Sequence, residues 1–448
     1  MSRVEGVQRT DNPDPHQTRL TPERQDALVV VKRLRDNGHV AYFAGGCVRD
    51  ELLGLTPKDF DVATDASPER VRQLFPNSQS VGAAFGVILV RLRHSIVEVA
   101  TFRSDGNYLD GRRPTDVQFT TAEYDAQRRD FTINGLFLDP LDGRVIDYVD
   151  GQTDLSARRL RAIGDASQRF NEDYLRLLRA VRFASRFDLS IEPHTAEQIR
   201  VHAPRLRRIS PERVAEELRQ MLTPAGSRGR AWTLLWEFAL VDEILRFLPG
   251  VAEAVDFNAQ RSPFLHLAPG QPVPFGLALA AGVLCFRAQA TQFTDPRQFL
   301  SRAHVQTANH ALRQSLRLSN DESDLFQGTL QGVAMLSADD APTLAIKKRF
   351  LATPTWQESL QLMESLHTTG LLDDRVRRLR PELSDLLNQD FAPAPLITGD
   401  DLTTLGLKPG PIFRRILETL YDEQLEGNLT SREQALTRAD SLGQSGGR

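Results

Sequence analysis

Residues 58–64 read KDFDVAT, two aspartates one residue apart in a short apolar run. Side chains on a β-strand alternate between faces. A strand here projects Asp59 and Asp61 together and turns Phe60 and Val62 into the core. Two carboxylates on one side repel each other unless a cation lies between them, which makes the pair a candidate Mg²⁺ site. Taken alone, an Asp-x-Asp pair is more often a solvated strand end, so the surrounding sequence has to decide.

The segments around it alternate between helical and strand-like patterns. TPERQDALVVVKRLRDNG (21–38) has helical spacing, with Thr21 as N-cap, Pro22 at the first helical position and Gly38 closing it. HVAYFAGG reads as a strand entering a glycine turn, CVRDELLG as a short helix and SPERVRQLFP as another with its own serine-proline start. VILVRL and IVEVATF read as the two arms of a β-hairpin. An α+β domain ending near residue 150 is expected. Beyond it the strand signals fade. Amphipathic helical patterns fill 165–225, broken at Pro193, Pro204 and Pro211, and continue to about 385 around a proline- and glycine-rich stretch at 262–275. The expected organisation is a disordered segment (1–24), a head (25–150), a helical neck (151–225), a helical body (226–390), a tail after the APAP link (391–440) and a short disordered end (441–448).

Four more constellations bear on chemistry. In AGGCVRDELLG (44–54), Gly45 and Gly46 let backbone amides approach a phosphate, and Arg49 lies in the first turn of the helix that follows. A tight turn with a surface arginine is the plainer reading of any isolated Gly-Gly; its position just before the carboxylate pair favours nucleoside triphosphate chemistry. Glu98 alternates with apolar neighbours in IVEVATFR, as a third carboxylate or as a surface-directed side chain. RRDFTIN (128–134) sets Arg129, Asp130 and Asn134 close together: a cation, an acceptor and an amide suited to a triphosphate, a ribose hydroxyl and a base edge. A solvated charge run is the alternative. Last, FNEDYLRLLRAVRFASRF (170–187) reads as a helix with Asp173 and Arg176 as i, i+3 neighbours and Arg179, Arg182 and Arg186 extending the row. A fixed Asp–Arg unit offers an acceptor and a bidentate donor to a base edge. From 158 to 208 there are twelve arginines against six acidic residues in a chain of net charge −4, which points to an RNA or phosphate surface.

The bulk numbers bound these readings without choosing among them. With 448 residues, several domains are expected. An apolar share of 40% and a charged share of 25% are those of ordinary globular proteins. No run of apolar residues is long enough for a transmembrane helix, and the first residues lack the apolar run of a secretory signal. Two distant cysteines, Cys47 and Cys285, allow neither a disulfide framework nor a Cys/His zinc site, and a cytoplasmic location is expected.

The ordered series GGCVRDELLG, DFD, EVATFR, RRDFTIN and EDYLRLLRAVRF resembles the class II tRNA nucleotidyltransferases and bacterial poly(A) polymerases. The resemblance covers residues 25–225 and resumes in GDDLTTLGLKPGPIFRRILETLYDEQLEG at the tail. It implies a polymerase-β-like head followed by helical neck, body and tail, with Asp59 and Asp61 holding two Mg²⁺ ions. It carries Gly46 and Arg49 over as phosphate-binding positions and Arg129 as a nucleotide contact. Asp173 and Arg176 become the amino-acid template for the incoming base, and Arg179 and Arg182 further triphosphate contacts. The implied partners are ATP, CTP and the 3′ end of tRNA or another RNA. Two departures stand out. Some members carry a His-Asp phosphohydrolase module after the neck; the matching stretch here keeps only His266 and no His-Asp dipeptide, which implies a remnant without metal. The segment 104–119 matches the family's flexible loop at full length, so addition of CC alone is not expected. Poly(A) synthesis and A-only addition are the nearest alternatives within this chemistry. A small-molecule nucleotidyltransferase accounts for the head but not for the arginine-rich helix and the long body. A non-catalytic RNA-binding protein on the same scaffold is a different class, and its expected signature, loss of one aspartate, is absent.

Overall fold

Thr21 accepts a hydrogen bond from the Arg24 amide and opens the first helix, α1 (Pro22–Asp36), with Pro22 at a position whose missing N–H costs nothing. The computed structural model that shows this describes residues 21–81, 86–105, 117–245, 248, 259, 262–290, 296–338, 341–407 and 410–445. Most of the 104–119 loop lies outside them. The chain divides into two compact units, Met1–Ile209 and Ser210–Arg448.

The first unit is built on a mixed sheet. Its strands are β1 (Ala41–Ala44), β2 (Val62–Thr64), β3 (Ser78–Ser80), β4 (Val87–Arg91) and β5 (Ile96–Thr101). A separate two-stranded ribbon, β6 (Arg103–Asp105) with β7 (Val117–Phe119), precedes β8 (Leu136–Leu138) and β9 (Val145–Asp147). The seven sheet strands lie in the order β3-β4-β5-β2-β1-β8-β9. Only β2 and β5 run parallel, with Val62 opposite Val99, while β1 places Phe43 opposite Val62. Phe43, Val62, Val99 and Ile88 are fully buried on one face. The alternate positions Ala44 and Ala63 cluster on the other with Phe102, Ala122, Ala126 and Phe137. Helix α2 (Gly46–Leu52) follows β1, and α3 (Pro68–Leu74) opens on the Ser67 hydroxyl as its serine-proline start suggests. Asp26, buried in α1, reaches the turn of the β4–β5 hairpin: its Oδ2 accepts from the amides of His94 and Ser95 at 2.8 Å each.

Two local expectations change. The strand in KDFDVAT begins at Val62, so Asp59 and Asp61 lie in the extended segment entering it. Asp61 is still tied to β1 through its carbonyl, which accepts from the Ala44 amide at 3.0 Å. The helix expected over 170–187 is two helices, α6 after α4 (Ala122–Gln127) and α5 (Gly151–Ser156). Residues of α6 (Ala166–Glu172) stop at Asp173, which is extended (φ −150°, ψ 106°), and α7 (Leu175–Arg186) restarts with the Asp173 carboxylate accepting from the Leu175 amide at 3.0 Å. A side chain that bonds the backbone two residues ahead competes with the helix there.

The second unit is helical throughout its described residues. Phe275–Ala290 forms an almost wholly apolar helix, and its Leu277, Ala278, Ala280 and Cys285 are fully buried. A helix apolar on all sides is a core element. His266, before it, is exposed. Buried Arg228 donates to the carbonyls of Pro224 (3.1 Å) and Leu267 (2.9 Å), tying the proline- and glycine-rich stretch to its helix. The tail helices Gly399–Thr404, Pro411–Leu425 and Arg432–Ser445 close around Leu402, Ile416, Leu420, Ala435 and Ala439. Among the described residues no helix is long and apolar enough to cross a membrane.

Asp26 satisfies two amides of the β4–β5 turn from outside that hairpin. Asp26→Ala is expected to lower stability by about 1–3 kcal/mol, the cost of stranding such donors. Asp26→Asn, which keeps an acceptor oxygen, should lose less; equal thermal midpoints for all three proteins would contradict this role.

Candidate active site

Strand register gathers the acidic residues. Val62 pairs in parallel with Val99, so the preceding residues, Asp61 and Glu98, lie side by side on the opposite sheet face, and Asp59 follows two residues back along the chain. Burial pushes the Asp61 carboxyl up to about 7, with the Glu98 and Asp59 charges adding to the effect and Arg129 opposing it. Burial and Asp59 likewise raise Glu98, against Arg103. These are hard oxygen donors whose ionised forms resist one another, the donor set that suits a divalent cation. Among the described residues no three His, Cys, Asp or Glu side chains close into a complete metal-holding group. Asp59 and Asp61 are the side chains that would hold such an ion.

The turn beneath them is shaped by close approach. Gly45 has φ +70°, and its amide donates to the Leu136 carbonyl at 2.9 Å. A Cβ at Gly45 would fall 2.6 Å from Arg129 Nη1, so only glycine leaves room for that guanidinium. Arg129 donates through Nη2 to Asp125 Oδ2 (2.9 Å) and through Nη1 to the Asn134 carbonyl (3.0 Å), and lies over the Phe137 ring. Gly46 opens α2, which carries Arg49. The sequence makes Arg49 a candidate phosphate contact; in the fold it is 5% exposed. Its guanidinium donates to Asp50 Oδ1 (2.6 and 2.8 Å) and to Asn134 Oδ1 (2.5 Å), and lies over the rings of Phe183 and Phe187. Buried charge demands such partners, and Arg49 fixes this corner of the site.

Asp130 is the hub of the next layer. Its Oδ1 accepts from the Phe131 amide (2.8 Å) and Asn134 Nδ2 (2.9 Å), its Oδ2 from Arg179 Nη2 (2.6 Å). Burial works to raise its pKa, but Arg179, the Asn134 amide and Arg176 together hold it well below the usual carboxylate range. Asp130, Asn134, Arg49 and Arg179 are thus one connected unit. The helix break leaves Asp173 extended, with its carbonyl accepting from the Arg176 amide at 3.1 Å, and the Arg176 guanidinium donates to Glu172 Oε2 at 2.6 Å and to the Arg169 carbonyl at 2.8 Å. Arg182 is buried against the Phe183 ring, and Arg186 reaches Asp50 at 3.4 Å.

Asp50, Asp125 and Glu172 also belong to the site, and they are not among the candidate residues named above. Two of them carry a local signal: Asp125 with Arg129 and Glu172 with Arg176 have the i, i+4 spacing that brings opposite charges together on a helix. The pairing of Asp50 with Arg186 spans 136 residues and has none.

A mixed sheet with paired carboxylates at a strand entry, backed by a buried arginine network, is the head of a nucleotidyltransferase. Residues 41–161 match the model of the poly(A) polymerase head domain, and 188–254 that of the probable RNA- and SrmB-binding site of polymerase A. The CCA-adding enzyme of Streptococcus mutans is 32% identical over 93% of this chain and 96% of its own. That of Geobacillus stearothermophilus is 41% identical over 52% of this chain and 56% of its own. The crystal structure of the Bacillus stearothermophilus CCA-adding enzyme in complex with CTP superposes with a TM-score of 0.70 at 25% identity, covering 95% of this chain and 100% of that one. The chain belongs to the CCA-adding enzyme family. Nucleotidyltransferases of this kind use divalent metal ions.

The raised Asp61 carboxyl makes a signed prediction. Between about pH 4 and pH 7 the folded protein holds a proton there that the unfolded chain releases, so without metal, stability falls as pH rises through this window. Asp61→Asn removes that penalty. Its thermal midpoint should exceed the metal-free wild type at pH 8 and match it at pH 4, whereas an identical difference at both pH values would refute the electrostatic account.

Proposed function

We propose that this protein adds CCA, from CTP and ATP, to the 3′ end of tRNA without a nucleic-acid template. The observation that carries the reading is the linkage of the two halves of the site in a chain similar to CCA-adding enzymes over nearly its whole length. Arg129 acts on the Asp61 carboxyl and bonds to Asn134, which in turn holds Arg49 and Asp130.

Asp59 and Asp61 hold the ions at the strand entry, and Glu98 supplies a third negative charge beside them. Mg²⁺, when bound, lowers the pKa of the attacking RNA 3′-hydroxyl and offsets charge on the leaving pyrophosphate. The backbone amides of the Gly45–Gly46 turn take phosphate oxygens, and Arg129 orients the nucleotide beside them. Arg49 keeps Asn134 and Asp130 in place for the sugar and triphosphate. Arg179 and Arg182 contribute positive charge toward the triphosphate. Asp173, at the helix break, offers an acceptor and Arg176 a donor to the base edge, the pairing that lets side chains choose between C and A. The helical unit holds the RNA. Addition of nucleotides to an acceptor therefore draws on positioning and charge rather than on a covalent enzyme intermediate.

Incubation with labelled CTP and ATP on tRNA lacking CCA, ending in the discriminator base, C or CC, should give products that sequence to a completed CCA in every case. Long adenylate tails on an unrelated RNA with ATP alone would assign poly(A) synthesis instead. Asp59→Ala should abolish incorporation and leave RNA binding close to wild type; near-normal incorporation would refute its role as a metal ligand.

A further inference from the structure

One large aromatic side chain stands open near the end of β5, the strand that carries Glu98. Phe119 ends β7, and it is 51% exposed, while Phe102 and Phe137 nearby are buried. In the ribbon β6–β7 it lies directly opposite Arg103. Directly opposed residues project to one side, with Cβ atoms about 5 Å apart. The ring lies against Gly86, whose carbonyl accepts from the Thr101 amide at 2.9 Å, and Thr101 is three residues along β5 from Glu98. The seat of the ring is also shaped for it. Gly86 has φ +77°, and a Cβ there would come within 3.1 Å of Phe119 Cε1, so the ring rests close against bare backbone. The neighbouring main chain is pinned by the Thr120 amide, which donates to the Phe102 carbonyl at 3.0 Å.

We infer that Phe119 is a stacking platform for the nucleobase at the 3′ end of the acceptor RNA, with Arg103 beside it to meet the adjoining phosphate. The inference rests on the transfer reaction proposed above. An RNA 3′-hydroxyl that attacks at Asp59 and Asp61 brings its own nucleotide within one residue's reach of them, and that base needs a surface. The incoming base is served by hydrogen-bonding groups at Asp173 and Arg176, which discriminate. The acceptor base must not be discriminated, because it changes with every addition. An aromatic face suits it, since stacking holds any base.

The test compares acceptors that end in a normal nucleotide or in an abasic one, both with a free 3′-hydroxyl. On the normal acceptor, Phe119→Ala should raise the KM for RNA about tenfold, the worth of one stacked base. The KM for the nucleoside triphosphate should stay unchanged, and Phe119→Trp should restore the RNA KM. On the abasic acceptor the wild type should show the same rise, and Phe119→Ala should add nothing further. Equal losses on both acceptors would make the ring a structural residue and overturn the platform. A rise confined to the triphosphate KM would place the ring under the incoming base and also overturn it. A wild type that extends no RNA at all would instead remove the transfer reaction on which the platform stands.

Discussion

Mutual repulsion among carboxylates is the constraint on which this molecule turns. Parallel pairing of β2 with β5 sets Asp61 beside Glu98, and the extended segment before β2 adds Asp59. Burial pushes the Asp61 carboxyl up to about 7, and the neighbouring Glu98 and Asp59 charges add to the effect. Such an arrangement lowers the stability of the empty head and is relieved by a cation. The sheet holds it because Phe43, Val62, Val99 and Ile88 bury the other face of the same strands. Hydrophobic burial on one side thus enforces an electrostatic conflict on the other, one that a bound cation would relieve.

The positive half of the site obeys the complementary rule. Arginines that enter the interior are matched one by one: Arg49 by Asp50 and Asn134, Arg129 by Asp125, Arg179 by Asp130, Arg176 by Glu172. A buried guanidinium without a partner would cost several kcal/mol, so each pairing fixes geometry as much as it contributes stability. Phe183 and Phe187 carry Arg49 on their faces and add a rigid backing that a flexible surface arginine lacks. The result is a cationic wall held in place by its own ion pairs. Preorganisation of this kind suits phosphoryl transfer, where the protein's share of the work is position and charge.

Much of this was legible where the determining interactions are local. The Thr21 and Ser67 caps, the β4–β5 hairpin and the same-face placement of Asp59 and Asp61 follow from spacing within a few residues. The break at Asp173 was not legible, because NEDYLRLL keeps helical spacing without glycine or proline, and only the capping of Leu175 by Asp173 interrupts it. Nor was the burial of Arg49 legible. Its partner Asn134 lies 85 residues away, and nothing in VRDEL distinguishes a pinned arginine from an open one. Which arginines remain for substrate is a tertiary property, and the sequence could place the charges but not their pairings.

Above all, we propose that a divalent ion binds between Asp59 and Asp61. Crystals soaked in Mn²⁺, which reports its own position through anomalous scattering, test this directly. Anomalous density is expected between those two carboxylates and should be lost in Asp61→Asn. Its absence there, or density held by other residues alone, would contradict the claim.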